Sequence, residues 1–211
     1  MERGRGQIRA GVRYVWANPE LRSTIVLVAV VGTFGLNYRV ALPLLARFAF
    51  DGGPGTYGIL AAIMAAGSVV GALTVARRGR PTRALLVGSV AAFGLLSFAA
   101  ALAPTIVVEA AFLFPIGAAS LSFVATANST VQLASDPAMR GRVMSLFGLV
   151  LLGSGPPSGL LSGWMAGQFG PRSILLLSGV SCVLAATVAT LTGRGQAEGP
   201  AAVPGDAEQA A

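Results

Sequence analysis

The sequence contains no lysine and no histidine, only one cysteine (Cys182), and few charges of any kind, 11% of 211 residues. Each scarcity excludes something. A single cysteine cannot close a disulfide within the chain, and without histidine no Cys/His metal site can form. The Ser–His and Cys–His pairs that activate a nucleophile are absent. No paired carboxylates share one helical face, and no phosphate-loop lysine follows a glycine-rich stretch. These absences point away from an enzyme, and no cofactor and no metal are expected. The first twenty residues lack the continuous apolar core of a signal peptide. A soluble domain usually carries roughly a quarter charged residues, and this chain falls far short of that.

What is present is apolar bulk. Hydrophobic residues make up 54% of the chain, and glycine is abundant at 28 residues, a composition suited to closely packed membrane helices. About 20 mainly apolar residues cross the hydrocarbon core of a bilayer as a helix. Six stretches meet this requirement: Ser23–Ala46, Gly55–Ala76, Ala84–Ala103, Thr105–Val131, Val143–Ala166 and Ser173–Thr192. Turn formers and charges fill the pieces between them, as in Asp51-Gly52-Gly53-Pro54 and Arg77-Arg78-Gly79-Arg80-Pro81. A membrane β-barrel would show alternating residues in strands of about 10, whereas these runs are continuous and longer. The sequence therefore predicts an all-α membrane protein, a bundle of six transmembrane helices spanning residues 23–192.

All the basic residues are arginine, and their distribution sets an orientation. With the N-terminus inside, the inner segments hold Arg3, Arg5, Arg9, Arg13, Arg22, Arg77, Arg78, Arg80, Arg83, Arg140, Arg142 and Arg194. The outer loops hold only Arg47 and Arg172, and Arg39 lies within the first span. This is the positive-inside pattern. It places both termini in the cytoplasm of a multi-pass protein of the cell membrane. The net charge of +7 then reflects topology rather than nucleic-acid binding, and no nucleic-acid partner is expected.

Residues 1–22 form a separate cytoplasmic arm. Ile8, Val12, Val15 and Trp16 share one helical face, and Arg5, Arg9 and Arg13 another. The arm is either an amphipathic helix on the inner membrane surface or a helical linker with solvated charges. The tail, 193–211, is rich in Gly, Pro, Ala and Glu and is expected to be disordered.

Two stretches carry a family resemblance. The inner loop Ser135-Asp136-Pro137-Ala138-Met139-Arg140-Gly141-Arg142 precedes Gly153-Ser154-Gly155-Pro156-Pro157-Ser158-Gly159 and, further on, Phe169-Gly170-Pro171-Arg172. Near the start stand Gly11-Val12-Arg13-Tyr14-Val15 and Asn18-Pro19-Glu20-Leu21-Arg22. Together they resemble the C-terminal six-helix half of major facilitator superfamily transporters, in the branch with enterobactin-type siderophore exporters and macrolide or multidrug efflux proteins. The resemblance covers about residues 8–192, and the first six helices of the usual twelve are absent. It implies a module of a proton-coupled efflux permease for amphipathic small molecules, such as drugs or siderophores. By alternating access it would work with an N-terminal half or with a second copy of itself. The alternative is a truncated, non-transporting remnant or a membrane interaction protein.

Several residues are candidates for that work. Asn37 and Arg39 are substrate-path candidates in the first span; Arg39 stands seven residues short of Ala46. It either lines a cavity that meets a polar substrate or snorkels to the outer headgroups. Asn128 and Gln132, four apart in the fourth span, share a face and either line a polar path or bind a neighbouring helix. Glu109, the only carboxylate inside these spans, is a proton-coupling candidate or else a water-exposed residue of the outer interface, and a pair with Arg39 is open to it. Gly155, Pro156 and Pro157 interrupt the fifth span as a hinge or as a static kink. Gly155, Gly159 and Gly163 mark a close helix contact in either case. Arg140 and Arg142 are expected to hold neighbouring helix ends on the inner face, as part of a gate.

Overall fold

The computed structural model of the protein describes residues 6–194, with side chains from 9 to 192. Among the described residues, six helices are long and apolar enough to cross a membrane: Pro19–Ala49, Pro54–Arg78, Arg83–Ala101, Ile106–Leu133, Arg140–Phe169 and Arg172–Thr192. We call them the first to sixth spans. An arm helix, Gly6–Ala17, precedes them. The architecture is an all-α bundle of six spans, as the apolar runs predict, and the proposed tail lies almost wholly outside the described residues.

Polar caps set where several of the spans begin. Asn18 accepts from the backbone N–H of Glu20 at 3.0 Å and of Leu21 at 3.3 Å, with Pro19 in the first turn. The first span therefore starts at Pro19 rather than Ser23. Thr82 and Thr105 cap the third and fourth spans in the same way, accepting from Leu85 and Val108. Gly79, at φ 70°, ends the second span in the left-handed conformation that a side chain resists.

The first span is not one continuous α-helix. A π-helical turn at Val31–Gly35 leads into a break at Leu36 and Asn37, after which Tyr38–Leu44 resumes the helix. A broken helix exposes carbonyls that lipid cannot satisfy. Asn37, 2% exposed, donates through its side-chain amide to the carbonyls of Thr33 and Phe34 at 3.3 and 3.1 Å. Ser178 of the sixth span donates to the carbonyls of Phe34 and Gly35, both at 3.1 Å.

Close backbone contact joins the second and fourth spans, which pack along most of their length. A Cβ built at Gly67, Gly71 or Gly117 would overlap the carbonyl oxygen of Phe114, Ala118 or Met64 respectively. Only glycine permits that approach. Ser68 donates to the Gly117 carbonyl at 3.2 Å, and Ser122 to that of Gly71 at 3.3 Å. The third and sixth spans meet in the same manner at Gly94 and Gly179.

The arm docks on the end of the bundle where the fifth span begins. Val15 is fully buried and Gly11 lies against the Arg142 backbone. The Tyr14 hydroxyl donates to Asp136 at 2.9 Å and accepts from the Asp136 backbone N–H at 3.1 Å. Val12 and Trp16 remain exposed, so part of the apolar face still looks away from the bundle.

Candidate functional site

Burial is uneven among the spans. Of each apolar window, 56% is buried in the first span but only 17% in the second and 22% in the fifth. The later segment of the first span, Tyr38–Leu44, packs against both of these poorly covered helices. Its open face carries Arg39, which is exposed, while its neighbour Tyr38 is buried. Tyr38 turns inward, donating to Ser97 of the third span at 3.0 Å and meeting Phe93 edge-on with ring centres 5.8 Å apart. Arg39 and Asn37, adjacent in sequence expectation, thus separate. Asn37 is buried as the brace of the helix break, and Arg39 faces outward.

On the fourth span the packed face runs through Ile116, Phe123, Ala127 and Val131. Asn128 and Gln132 lie off that face, half-buried and exposed respectively. The Gln132 amide donates to the Asn128 side-chain oxygen. They share a face as the four-residue spacing predicts, and among the described residues their side chains bond to each other rather than to a neighbouring helix.

The structure covers Glu109, against the water-exposed alternative of its two readings. It is 1% exposed, and its Oε1 has no hydrogen-bond partner among the described residues. Nearness to a helix end fixes depth along the membrane but not which neighbours cover the side chain. Among the described residues no ion pair joins it to Arg39. Arg172, at the head of the sixth span, is placed 5.9 Å over the Phe50 ring. Tyr38, Ser97 and Glu109 are each buried within the bundle.

The fifth span is interrupted at Ser154, where Arg140–Gly153 passes into Gly155–Phe169. Pro156 and Pro157 stand in the first turn of the second segment, where a missing N–H costs little. The interruption rests on the first span, since a Cβ at Gly32 would lie 2.6 Å from Ser154 Oγ. The buried stripe is Ser154, Ser158 and Ser162. The predicted close contact at Gly155, Gly159 and Gly163 is not made, because a Cβ at any of them meets nothing within 4 Å. The serine stripe has the same four-residue spacing one position earlier, about 100° round the helix, and it is the one turned inward. Gly155, Pro156 and Pro157 are left exposed.

Arg140 and Arg142 are exposed at the start of this span. Arg142 donates to the Met139 sulfur at 3.4 Å. Among the described residues neither guanidinium reaches a carbonyl or carboxylate of another helix, contrary to expectation. Tyr14 and Asp136 make the tie at that end instead. Ser178, Ser154 and Tyr38 were not singled out from sequence. Small hydroxyl residues in apolar runs carry no signal of their partners, although the four-residue spacing of Ser154, Ser158 and Ser162 was available.

Comparison with known proteins adds one finding. The profile of a family described as transmembrane secretion effector matches residues 1–203. No curated protein and no solved structure matches the chain.

Proposed function

The chain belongs to the transmembrane secretion effector family, a membrane transporter family of the major facilitator superfamily and not an enzyme family, and on that premise we propose that it is one half of an efflux permease. The observation that carries this reading is the bareness of the second and fifth spans, which flank Arg39 and leave the Gly155–Gly163 face open. A complementary six-helix half, or a second copy, would cover those faces and enclose a path between them. The cargo in this reading is an amphipathic small molecule of the drug or siderophore class. Arg39 and the Asn128–Gln132 pair provide polar contacts along the path, and the interrupted fifth span flexes as the halves rock.

Coupling to protons falls to Glu109. Apart from Glu20 in the opening turn of the first span, it is the only carboxylate in the six spans. The N- and C-termini face the cytoplasm of the cell membrane, as the arginine distribution supports. Export of an amphipathic dye or macrolide from cells tests the reading, with the chain expressed alone and with a complementary half. Export in at least one combination is expected, reduced by Arg39→Ala and made independent of the proton gradient by Glu109→Gln. Absence of export in every combination would leave a non-transporting membrane protein.

A further inference from the structure

Between the inner half of the first span and the sixth span lies an apolar groove of about 660 Å³. Along the first span it runs from Pro19 to Phe34, and along the sixth from Leu177 to Thr192. At 1.5 Å per residue either wall is roughly 22 Å long. One leaflet contributes about 15 Å of hydrocarbon, so the groove accommodates an acyl chain over its full depth with room for the headgroup region. Its walls are mostly apolar, with Phe34 and Ser181 toward one end and the charged side chains at the other. There Arg22 of the first span, Arg83 of the third and Trp16 of the arm line the groove together. Arg83 is anchored by a 2.8 Å bond from Nη2 to the Ala189 carbonyl. Among the described residues lining the groove and its neighbouring recess, the one carboxylate is Glu20, in the smaller recess shared with Arg83, and the two arginines outnumber it.

We propose that this groove is a binding site for one anionic phospholipid of the arginine-rich leaflet, its tail between the first and sixth spans and its phosphate between Arg22 and Arg83. Two observations select that occupant. The groove's mouth is cationic, which complements an acidic headgroup and repels the equally basic inner end of a second copy. The faces left bare for another bundle are those of the second and fifth spans, whereas this groove opens on the side of the first and sixth. Trp16, 55% exposed at the mouth, marks the headgroup level where indole rings settle. Occupancy requires neither cargo nor a second half, so failure of the transport reading and failure of this site are separate results.

The test uses Trp16 as the reporter. The chain has two tryptophans. Trp164→Phe removes the other while keeping the aromatic contact with Phe169, 6.1 Å between ring centres. The whole chain is reconstituted in phosphatidylcholine vesicles containing a minor fraction of brominated-tail lipid, either phosphatidylglycerol or phosphatidylcholine. With roughly a fivefold preference contributed by each surface arginine, brominated phosphatidylglycerol is expected to quench Trp16 at a mole fraction at least roughly fivefold lower. Arg22→Gln with Arg83→Gln is expected to abolish the preference. Arg22→Lys with Arg83→Lys, and the remote pair Arg77→Gln with Arg78→Gln, are expected to keep it. Equal quenching by both lipids would reduce the groove to ordinary lipid contact. Loss in the lysine pair would assign the effect to a damaged end of the sixth span. Quenching by neither lipid would mean that protein covers the groove, and abolition by soluble glycerophosphate would mean a site for free phosphate. Each of these four results overturns the proposal.

Discussion

Replacing Gly117 by alanine probes the second and fourth spans where their backbones are closest. The new Cβ would overlap the Met64 carbonyl oxygen and lie 3.1 Å from the Ser68 nitrogen. Both are backbone atoms, so no side chain can swing aside and the helices must part. Overpacking of this kind typically costs 1–3 kcal/mol, about 2 at the centre of the range. Parting the helices also lengthens the 3.2 Å bond from Ser68 to the Gly117 carbonyl, a loss of about 1 kcal/mol. Alanine's better helix propensity returns about 1 kcal/mol. The net expectation is destabilisation by about 2 kcal/mol, roughly a thirtyfold fall in the folded-to-unfolded ratio. Gly159→Ala is the matched control, because its Cβ meets nothing within 4 Å. Only the propensity gain operates there, and the change should be neutral or stabilising by up to about 1 kcal/mol. Unfolding of the detergent-solubilised chain by titrated dodecyl sulfate, followed by circular dichroism, measures both. Equal effects at the two positions, or greater damage at Gly159, would refute the packing argument.

Three further outcomes are expected. Asn37→Ala and Ser178→Ala each remove a donor to the Phe34 carbonyl. Each should destabilise by about 1–3 kcal/mol, and the double variant should be non-additive in the same unfolding measurement. Tyr14→Phe removes both bonds to Asp136. Cleavage of the arm by trypsin at Arg9 and Arg13 should then accelerate about fivefold, as loss of about 1 kcal/mol of docking implies; an unchanged rate would show that Val15 alone holds the arm. Reporter fusions at Asp51 and Gly167 should register on the outer side of the membrane, and a cytoplasmic signal at either would reverse the orientation.

The six spans are legible in sequence because length and apolarity alone decide whether a helix can cross a bilayer. Their ends are less so. Asn18 and Thr82 cap helices that begin before the apolar runs that define the spans. The break at Leu36 and Asn37 is hidden, since Val31–Gly35 is as apolar as its surroundings and the break is braced by Ser178, 144 residues away. Periodicity located the small-residue stripe of the fifth span but could not say which of two adjacent stripes, Ser154–Ser162 or Gly155–Gly163, turns inward. For Glu109, position near a helix end suggested water. Burial instead depends on which helices surround it, a tertiary property. Asn128 and Gln132, within one helix, were placed on a common face because helical geometry alone fixes that relation.

The most direct test of the half-transporter account is transport by the purified chain in liposomes under an imposed pH gradient, with an amphipathic dye as cargo. The chain is reconstituted alone and together with a complementary six-helix half. The account predicts gradient-driven dye movement in at least one of these preparations. It also predicts loss of movement when Gly159→Leu and Gly163→Leu together block the bare face of the fifth span in a chain whose stability is unchanged. No movement in either preparation, or full movement with that face blocked, would contradict it.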